Sequence, residues 1–368
     1  MDGPYESRTR RLQDALPEDG GAVLFPSPNL FYCTGFWEEP MERPLFCFVP
    51  PAGDPAFVAP ALYESQLAEE TWVDDVRVYE DGEDPDGLVA DVAADLGLED
   101  AELLLDQTMW AQFVLGIRET LPDATVGLAD SVLADLRVRK DDVEVETLRE
   151  AGGVADAVVD RLRAAGADLV GKTETELAQW VERELQAAGG EGVSFETIVG
   201  SGPNGAKPHH SHGDRVVEAG DPVVFDFGAR VDYYPSDQTR TLVLAGDPPS
   251  GFEEAFAAVR DAQEAAVQAV EPGVTAEAID EAARSVIEDR GFGDAFVHRT
   301  GHGVGLDVHE EPYVVAGNDR ELEPGMVFSV EPGVYLPGEF GVRIEDLVVV
   351  TAEGAERLNH TDRGYGVE

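Results

Sequence analysis

The sequence predicts a mixed α/β (α+β) protein with two domains, a small N-terminal α/β domain over residues 1–136 and a larger C-terminal domain over residues 137–368. The length of 368 residues suits two domains better than one. Short apolar runs alternate with turns in the first third of the chain. The remainder contains an internal repeat of helices followed by hairpins. We therefore expect the C-terminal domain to be a pseudo-twofold antiparallel sheet with flanking helices.

The N-terminal elements follow from apolar runs bounded by turn residues, such as the Pro-Pro-Ala-Gly-Asp segment at residues 50–54. The strands are predicted at residues 23–25, 45–49, 56–58 and 103–105. The helices are predicted at residues 87–96 and 110–121. This alternation is typical of a compact α/β domain.

The C-terminal domain is predicted to begin with a helix over residues 141–165, for which Asp141 or Asp142 is a suitable N-cap. Gly-Lys-Thr-Glu at residues 171–174 opens a second helix, which runs through Leu185. Gly-Val-Thr-Ala at residues 273–276 opens another, which runs through Ile287. Two similar helix starts in one domain are the first sign of the repeat.

The repeat is clearest just before two predicted hairpins, where residues match one by one at a constant spacing. The first copy consists of Asp214, Arg215, Glu218, Gly220, Val223, Asp226 and Gly228; the second consists of Asp319, Arg320, Glu323, Gly325, Phe328, Glu331 and Gly333. Chance similarity of acidic stretches does not explain the matched glycines and arginines. We therefore predict two related helix–helix–hairpin units around a shared site.

Each predicted hairpin carries a pair of acidic residues in apolar surroundings. If the first hairpin turns near residues 231–232, Asp226 and Asp237 lie directly opposite each other; Glu331 and Glu345 lie opposite each other about Gly338. Paired carboxylates on one face repel each other unless a cation lies between them. Some of these acids could be solvated instead, but two equivalent pairs in apolar strands favour a metal site.

The histidines support a metal site at the hairpins. Six of the seven precede or flank the hairpins, and His302 lies between two glycines that allow close backbone approach. One imidazole and four carboxylates suit two divalent ions, with manganese expected before cobalt, zinc or iron. For His298 and His360 we favour a structural role.

The set Asp226, Asp237, His302, Glu331 and Glu345 resembles the ligands of the pita-bread (M24-type) metallopeptidases, which include methionine aminopeptidase, Xaa-Pro aminopeptidase and Xaa-Pro dipeptidase. The resemblance covers nearly the whole chain. Residues 29–36 are similar to the creatinase-like N-terminal domain of the proline-specific branch. The resemblance implies a dinuclear metal centre in a pseudo-twofold catalytic domain, and a homodimer.

Further motifs favour the proline-specific branch. These are Pro208-His209, His309-Glu310, Glu-Pro-Gly-Val-Tyr at residues 331–335 and Val-Arg-Ile-Glu-Asp at residues 342–346. Gln238 departs from the pattern, since an apolar residue is expected there.

The resemblance implies roles for individual side chains in hydrolysis of the peptide bond that precedes proline. His209 would contact the substrate, although the neighbouring His210 could do so instead. His309 would stabilise the developing oxyanion, and Glu331 would transfer the proton. Tyr335 and Arg343 would orient ligands and substrate, or serve only in packing and ion pairing.

Two other function classes stay open at this stage. One is hydrolysis of a small non-peptide amide, such as an osmolyte, on the same fold. The other is non-catalytic peptide binding, which retention of all five ligand residues makes less attractive. The sequence does not separate dipeptidase from aminopeptidase specificity.

The charge of the chain excludes several partners. It has 75 acidic against 26 basic residues and a net charge of -49, so we expect no nucleic acid and no anionic membrane partner. A hydrophobic content of 43% argues against disorder. So large a net charge makes the folded chain repel itself, and about 1 M salt relieves most of this repulsion by shortening the Debye length to ~3 Å. We therefore interpret the acidity as halophilic adaptation. Neither a signal peptide nor a membrane span is evident, and we expect a cytoplasmic protein.

Overall fold

The computed structural model describes residues 3–367, and the chain divides into two compact units between Arg137 and Val138. The N-terminal unit combines one mixed sheet with helices. The C-terminal unit is built from antiparallel strands and four long helices. Each unit is described separately below.

The sheet of the N-terminal unit has six strands in the order β4-β3-β2-β1-β5-β6. The strands are β1 Gly20–Leu24, β2 Phe46–Val49, β3 Ala56–Pro60, β4 Asp75–Tyr79, β5 Glu102–Leu105 and β6 Thr125–Leu128. The central strand β1 pairs antiparallel with β2 and parallel with β5. Strands β1, β2 and β3 are buried along their whole length, which explains their continuous apolar runs.

Six α-helices accompany this sheet in the part of the unit that the structure describes. They are α1 Pro4–Ala15, α2 Pro28–Thr34, α3 Glu64–Glu70, α4 Asp86–Leu96, α5 Ala111–Thr120 and α6 Asp130–Arg137. Helix α2 begins at Ser27, whose hydroxyl accepts hydrogen bonds from two backbone N–H groups of the first turn. It ends at Gly35, which adopts the left-handed conformation that favours glycine. One apolar cluster of the unit lies between the sheet and helices α4 and α5.

The C-terminal unit contains two pairs of long helices. They are α7 Asp142–Ala165, α8 Glu174–Ala187, α9 Phe252–Gln268 and α10 Ala276–Asp289. Asp141, rather than Asp142, is the N-cap of α7, and Thr173 is the N-cap of α8. Both caps are completed by a glutamate three residues further on, which accepts a hydrogen bond from the cap residue's own N–H.

Every pairing between strands in this unit is antiparallel. The first half contributes β7 Gly192–Val193, β8 Ile198–Ser201, β9 Pro222–Phe227, β10 Ala229–Val231, β11 Tyr234–Pro235 and β12 Gln238–Val243. The second half contributes β13 Gly301–Gly303, β14 Glu310–Val314, β15 Val327–Val330, β16 Gly333–Leu336, β17 Phe340–Arg343, β18 Asp346–Thr351 and β19 Gly354–Arg357. Each half has its own apolar core, one built mainly on α7 and α8, the other on α9 and α10.

The two halves share local details that match the sequence repeat. A β-bridge joins Thr173 to Val216 in the first half, and an equivalent bridge joins Thr275 to Glu321 in the second. Gly220 and Gly325, which are matched in the repeat, both adopt a φ of 91°. A side chain at either glycine would also press against a backbone oxygen. The repeat is therefore structural as well as sequential.

The first hairpin differs from the sequence prediction in its register. Its turn is at Asp232 and Tyr233, which both adopt positive φ values of 44° and 70°. Asp226 therefore pairs with Thr239, and the prediction that Asp226 directly opposes Asp237 is wrong. The turn lies one residue later than predicted because neither Asp232 nor Tyr233 is the glycine that usually signals it. Asp237 is a diagonal neighbour of Asp226, since it lies two residues from Thr239.

The second hairpin has the register predicted from the sequence. Val330 pairs with Asp346 on one side, and Gly333 pairs with Arg343 on the other. This register, continued between the two pairs, aligns Glu331 with Glu345. The turn itself is at Gly338, whose φ is 83°.

An ionic network lies beneath this hairpin. Asp346 is fully buried and binds Arg240 at 2.8 Å and Arg363 at 2.5 Å. Gln263 donates a further hydrogen bond to it at 2.9 Å. Arg240 also donates to the backbone oxygens of Thr239 and Glu345. The network therefore fixes the backbone of both hairpins where their acidic residues lie.

Replacement of Asp346 by alanine is expected to destabilise the protein strongly. Loss of the carboxylate leaves Arg240 buried without its ionic partner, which costs about 3–5 kcal/mol. We expect the thermal midpoint to fall by roughly 10 °C in differential scanning calorimetry. The matched control is Asp81→Ala, which removes an exposed ion pair with Arg43 and should change stability by less than about 1 kcal/mol. Equal effects of the two substitutions would contradict this account.

Candidate metal centre

Asp226 is buried on β9 and faces the second half of the domain. Its Oδ2 accepts a hydrogen bond from Arg343 Nη2 at 2.5 Å. Within the described residues, its Oδ1 is buried and has no hydrogen-bond partner. A buried carboxylate oxygen without a partner is costly unless a cation or a donor meets it. Asp226 is thus held by one oxygen and free to bind a ligand with the other.

Asp237, His302 and Glu345 come together from three places in the fold: Asp237 immediately precedes β12, His302 lies within β13, and Glu345 immediately precedes β18. One potential ligand atom from each lies within 4.8 Å of the others, and all three side chains are buried. Thr239 Oγ1 donates to Glu345 Oε2 at 2.6 Å, which couples the two hairpins. Among residues 3–367, the other oxygen of Glu345 is buried without a partner. This cluster is therefore a second place where buried negative charge favours binding of a cation.

Glu331 completes the group from the edge of the second hairpin. Its Oε1 lies 3.3 Å from His302 Nε2, and Asp237 Oδ2 lies 3.7 Å from the same nitrogen. Ser329 Oγ contacts Glu331 at 3.3 Å and accepts a hydrogen bond from the backbone N–H of His302. The five predicted ligand residues thus surround one common space.

The glycines on both sides of His302 allow strand β13 to fit between its neighbours. A Cβ atom at Gly301 would clash with the backbone oxygen of Ser329, and one at Gly303 would clash with that of Glu311. Only glycine permits this approach. The two glycines therefore let the backbone of β13 approach its neighbours closely enough to place the His302 imidazole inside the cluster of carboxylates.

Burial and mutual repulsion change the proton affinities of the clustered acids. Desolvation raises the pKa of Asp237 and of Glu345 well above the ordinary range, and neighbouring carboxylates raise both further. Desolvation, together with the charge of Asp226, raises the pKa of Glu331 to about 7 against the opposing effect of Arg343. Burial lowers the pKa of His302 to about 3, with His309 adding to the effect. Without a cation, the fold therefore favours protonated acids and a neutral imidazole here.

The donor set fits divalent metal ions. Four carboxylates and one neutral imidazole are ligands that manganese, cobalt, iron or zinc accept. Two buried carboxylate oxygens without partners, one at Asp226 and one at Glu345, are positioned for such ions. The raised pKa values also indicate that positive charge is needed to keep these acids ionised.

A cavity of about 290 Å³ opens onto this cluster. Its lining comprises Phe195, Glu196, Ile198, Pro208, His209, His210, Ser211, Asp226, Asp237, His298, Arg299, His302, Val308, His309, Glu331, Arg343 and Glu345. All the predicted site residues except Tyr335 therefore line one cavity. Tyr335 lies behind the wall and contacts two lining residues, Arg343 and His298.

The histidines that were predicted to meet the substrate occupy different environments. The His309 ring meets the His302 ring edge to face, with centroids 4.2 Å apart. His209 is exposed at the cavity, and its imidazole makes no hydrogen bond within the described part of the chain. His210 instead contacts Glu174 Oε2 through its Nε2 at 2.8 Å. His209 is therefore the freer of the two adjacent imidazoles.

Arg343, Tyr335 and His298 form a chain of hydrogen bonds behind Asp226. Arg343 Nη1 donates to the Tyr335 hydroxyl at 2.8 Å, and His298 Nε2 lies 2.9 Å from the same oxygen. His298 Nδ1 lies 2.7 Å from the carbonyl oxygen of Arg299, which can only accept. Nδ1 therefore carries the proton, and the neutral ring accepts from Tyr335 through Nε2. Burial lowers the pKa of His298 to about 4, in agreement with a neutral ring.

Some contributors were not identified from the sequence. The structural role favoured for His298 agrees with its two hydrogen bonds, but the residue also lines the cavity. Glu174 is fully buried beside the histidines of residues 209–212, although it is 35 residues away in the chain from His209. His298 lies four residues before the predicted ligand His302, and this short distance in the chain could have indicated that it lies at the cavity. No pattern in the sequence indicated that Glu174 is buried near the cavity, because a glutamate in the first turn of a helix is usually exposed.

Gln238 was expected to be apolar, and the structure explains why a polar residue is accommodated. Its side chain is buried and donates to Asp156 at 2.8 Å and to Thr361 at 3.0 Å. The amide therefore joins β12 to helix α7 and to the C-terminal segment. His360 lies in that segment, where its backbone N–H donates to Asp156.

Comparison with known proteins identifies the class of molecule to which this arrangement belongs. Residues 146–352 match the model of metallopeptidase family M24, and residues 8–139 match that of the creatinase/prolidase N-terminal domain. A probable dipeptidase PepE of Mycobacterium tuberculosis (strain ATCC 25618 / H37Rv) is 43% identical over 369 residues, which cover 98% of this chain and 96% of the relative. An Xaa-Pro dipeptidase of Lactobacillus helveticus is 36% identical over 362 residues, 96% of each chain.

A solved structure extends the similarity to the whole fold. The recombinant prolidase from Thermococcus sibiricus matches with a TM-score of 0.92 and 38% identity over 100% of both chains. These matches define a metal-dependent peptidase. The chain belongs to metallopeptidase family M24 and carries a creatinase-like N-terminal domain. The fold class predicted from the sequence is confirmed, and the family implies divalent metal ions at the cluster described above.

The helices give no sign of a membrane span. None of those in residues 3–367 combines the length and the apolar character required to cross a bilayer.

The clustered acids predict how stability depends on pH when metal is removed. Because the folded pKa of Glu331 is raised from 4.5 to about 7, the folded state binds more protons than the unfolded state between these values. Stability of the metal-free protein should therefore fall as the pH rises from about 5 to 8. Manganese added at pH 8 should restore it, since ions that bind only the folded state stabilise it. Thermal midpoints after chelation, measured in 2 M KCl to screen surface charge, check this expectation.

The control for this experiment is Glu331→Gln, which removes one of the titrating groups and should make the pH dependence shallower. A metal-free parent protein whose midpoint is constant or rises from pH 5 to pH 8 would contradict the electrostatic account.

Proposed function

We propose that this protein hydrolyses the peptide bond that precedes proline, as an Xaa-Pro dipeptidase or aminopeptidase with a dinuclear metal centre. The observation that carries the proposal is the convergence of Asp226, Asp237, His302, Glu331 and Glu345 on one cavity. Relatives with the name Xaa-Pro dipeptidase, and neighbours described as prolidases, support the choice of substrate.

The five converging residues would hold two divalent ions, with manganese as the first candidate. When bound, such ions supply Lewis acidity, which polarises a carbonyl group and lowers the pKa of water. Four carboxylates exceed what one ion needs for charge balance, which supports two ions over one.

Glu331 is the best-placed residue for proton transfer. It lies at the cavity, 3.3 Å from His302 Nε2, and a carboxylate in this place can both accept and donate a proton. In the proposed reaction it accepts a proton from the attacking water. It then delivers that proton to the proline nitrogen as the C–N bond breaks, so that the amine leaves neutral.

His309 is placed to stabilise the negative charge that develops on the carbonyl oxygen. It lines the cavity beside His302. Burial lowers the pKa of His309, so that the ring is neutral near pH 7 and can donate one N–H hydrogen bond. His209 lines the same cavity and is available to a substrate group on that side.

The size of the cavity favours a short peptide. Its volume of about 290 Å³ lies just below the usual range of about 300–1,000 Å³ for small-molecule sites. We therefore propose a dipeptide as the preferred substrate. The mycobacterial relative is likewise named a probable dipeptidase. Homodimer formation stays a prediction, which light scattering coupled to size-exclusion chromatography would test.

Asp237→Asn should abolish most of the activity while the protein stays folded. Loss of one ligand to the proposed centre should lower kcat/KM for Ala-Pro by at least about 100-fold, and the metal content should fall from two ions per chain toward one. Glu339→Gln is the matched control, because Glu339 lies exposed at the tip of the second hairpin. Full activity of Asp237→Asn, with a single ion bound in the parent, would defeat the dinuclear proposal.

Substrate turnover separates the remaining functions. Manganese-loaded parent protein, in concentrated KCl, should cleave Ala-Pro in preference to Ala-Pro-Ala and Ala-Ala. Comparable cleavage of Ala-Pro-Ala would indicate an aminopeptidase. Turnover of small non-peptide amides alone, or tight binding of peptides without cleavage by folded and metal-loaded protein, would replace the proline-peptidase proposal with one of the two alternatives.

We also propose that the fold is adapted to concentrated salt. A net charge of -49 generates self-repulsion that falls steeply as salt shortens the Debye length. The thermal midpoint should therefore rise between 0.1 M and 2 M KCl. Sucrose at matched water activity is the control, since it stabilises through exclusion without screening charge. Equal stabilisation by sucrose and KCl would argue against the electrostatic explanation.

A further inference from the structure

The segment with three histidines, residues 209–212, is tied to the first turn of helix α8. His210 Nε2 contacts Glu174 Oε2 at 2.8 Å, and Thr175 Oγ1 contacts His212 Nδ1 at 3.1 Å. The backbone N–H of Thr175 donates to the oxygen of Gly213 at 3.0 Å. The segment is therefore fixed by the first turn of one helix.

Glu174 is the centre of these contacts, and both of its oxygens are occupied. Oε1 accepts from the backbone N–H of Ser201 at 2.9 Å, from the Ser201 hydroxyl at 2.7 Å and from Asn204 Nδ2 at 3.0 Å. Oε2 accepts from the Gly213 N–H at 3.2 Å, from Asn204 and from His210. Glu174 is not part of the helix cap, and a fully buried carboxylate with this many donors fixes the groups that surround it.

These donors keep Glu174 ionised. Burial alone would raise the pKa of the carboxyl group, but the hydrogen bonds from Ser201, His210 and Asn204 outweigh it and lower the pKa. An ionised carboxylate can only accept hydrogen bonds. Nε2 of His210 therefore carries a hydrogen, and in the neutral ring Nδ1 is left as an acceptor.

His209 and His210 are adjacent but differ in their freedom. Both line the cavity. The side chain of His210 is 13% exposed and bound at Nε2, whereas His209 is exposed and without a hydrogen bond in the described structure. The two neighbouring rings differ in freedom because Glu174 binds the ring of His210 and not that of His209.

We propose that Glu174 is a positioning residue: by binding His210 Nε2 it holds the histidine segment so that His209 meets the substrate. The inference rests on the function proposed above, because it assigns a substrate contact to the same cavity. It gives different roles to His209 and His210, either of which could contact the substrate according to the sequence alone. His210 serves as the anchor, and His209 makes the contact.

Two substitutions of His210 test this division. His210→Gln keeps an N–H donor that can reach Glu174, whereas His210→Leu has none. We expect His210→Leu to raise KM for Ala-Pro about 10-fold and to change kcat less than 3-fold. His210→Gln should recover most of the lost KM. Equal loss in both variants would show that His210 itself contacts the substrate, and unchanged kinetics in both would show no role; either result overturns the proposal.

Glu174→Gln provides a readout that does not depend on turnover. Its amide oxygen can replace Oε1, which faces the donors of Ser201, but its NH₂ group would then face His210 Nε2 and the Gly213 N–H. His210 would have to accept there, so its hydrogen should move to Nδ1. Nitrogen-15 NMR of histidine-labelled, metal-free protein reports the tautomer, and the signal missing from His210→Gln assigns it.

An Nε2–H tautomer in the parent that becomes Nδ1–H in Glu174→Gln supports the proposal, and an unchanged tautomer overturns it. If Glu174→Gln does not fold, the two His210 variants decide the question. A parent protein that cleaves no Xaa-Pro substrate would defeat the proposed function, and the NMR result would still show whether Glu174 holds His210.

Discussion

The burial of four carboxylates around one imidazole is the constraint on which the rest of the C-terminal domain depends. Like charges at such separations repel each other strongly when water is excluded. The fold keeps Asp237 and Glu345 in this arrangement at the cost of raised pKa values, and buried oxygens of Asp226 and Glu345 have no hydrogen-bond partner among residues 3–367. A structure that tolerates such a cluster must be organised around the cations that neutralise it, and family membership gives the same answer independently.

The two halves of the domain depend on each other at this cluster. Asp226 comes from the first half and is held by Arg343 from the second. Glu345 comes from the second half and is held by Thr239 from the first: the Thr239 hydroxyl donates to the Glu345 carboxylate, and the backbone N–H of Glu345 donates to the Thr239 carbonyl oxygen. Each half therefore supplies both a ligand candidate and the group that orients the other half's candidate. Neither half could form the site alone, although each has an apolar core of its own.

The sequence predicted those features that arise from local patterns or from the repeat. The constant spacing between the copies identified both hairpins, and glycine at 338 located the second turn correctly. The first turn was misplaced by one residue because Asp232 and Tyr233 adopt positive φ without glycine. Contacts distant in the chain were out of reach as well. Glu174 and His210 are 36 residues apart, and no periodic pattern connects a helix start to a loop.

The surface charges act on a metal ion from a long distance and the buried cluster acts from a short one, so salt weakens their contributions to metal binding to different degrees. In the concentrated salt proposed for this protein, charges more than a few ångströms apart are screened from one another. The many acidic surface residues then contribute little to holding a divalent ion, although in dilute solution they would attract cations from afar. Groups buried within a few ångströms of the ion are screened much less. Under the proposed function, affinity for metal would therefore come from the five converging side chains and from the groups that orient them, among which are Arg343 and Thr239.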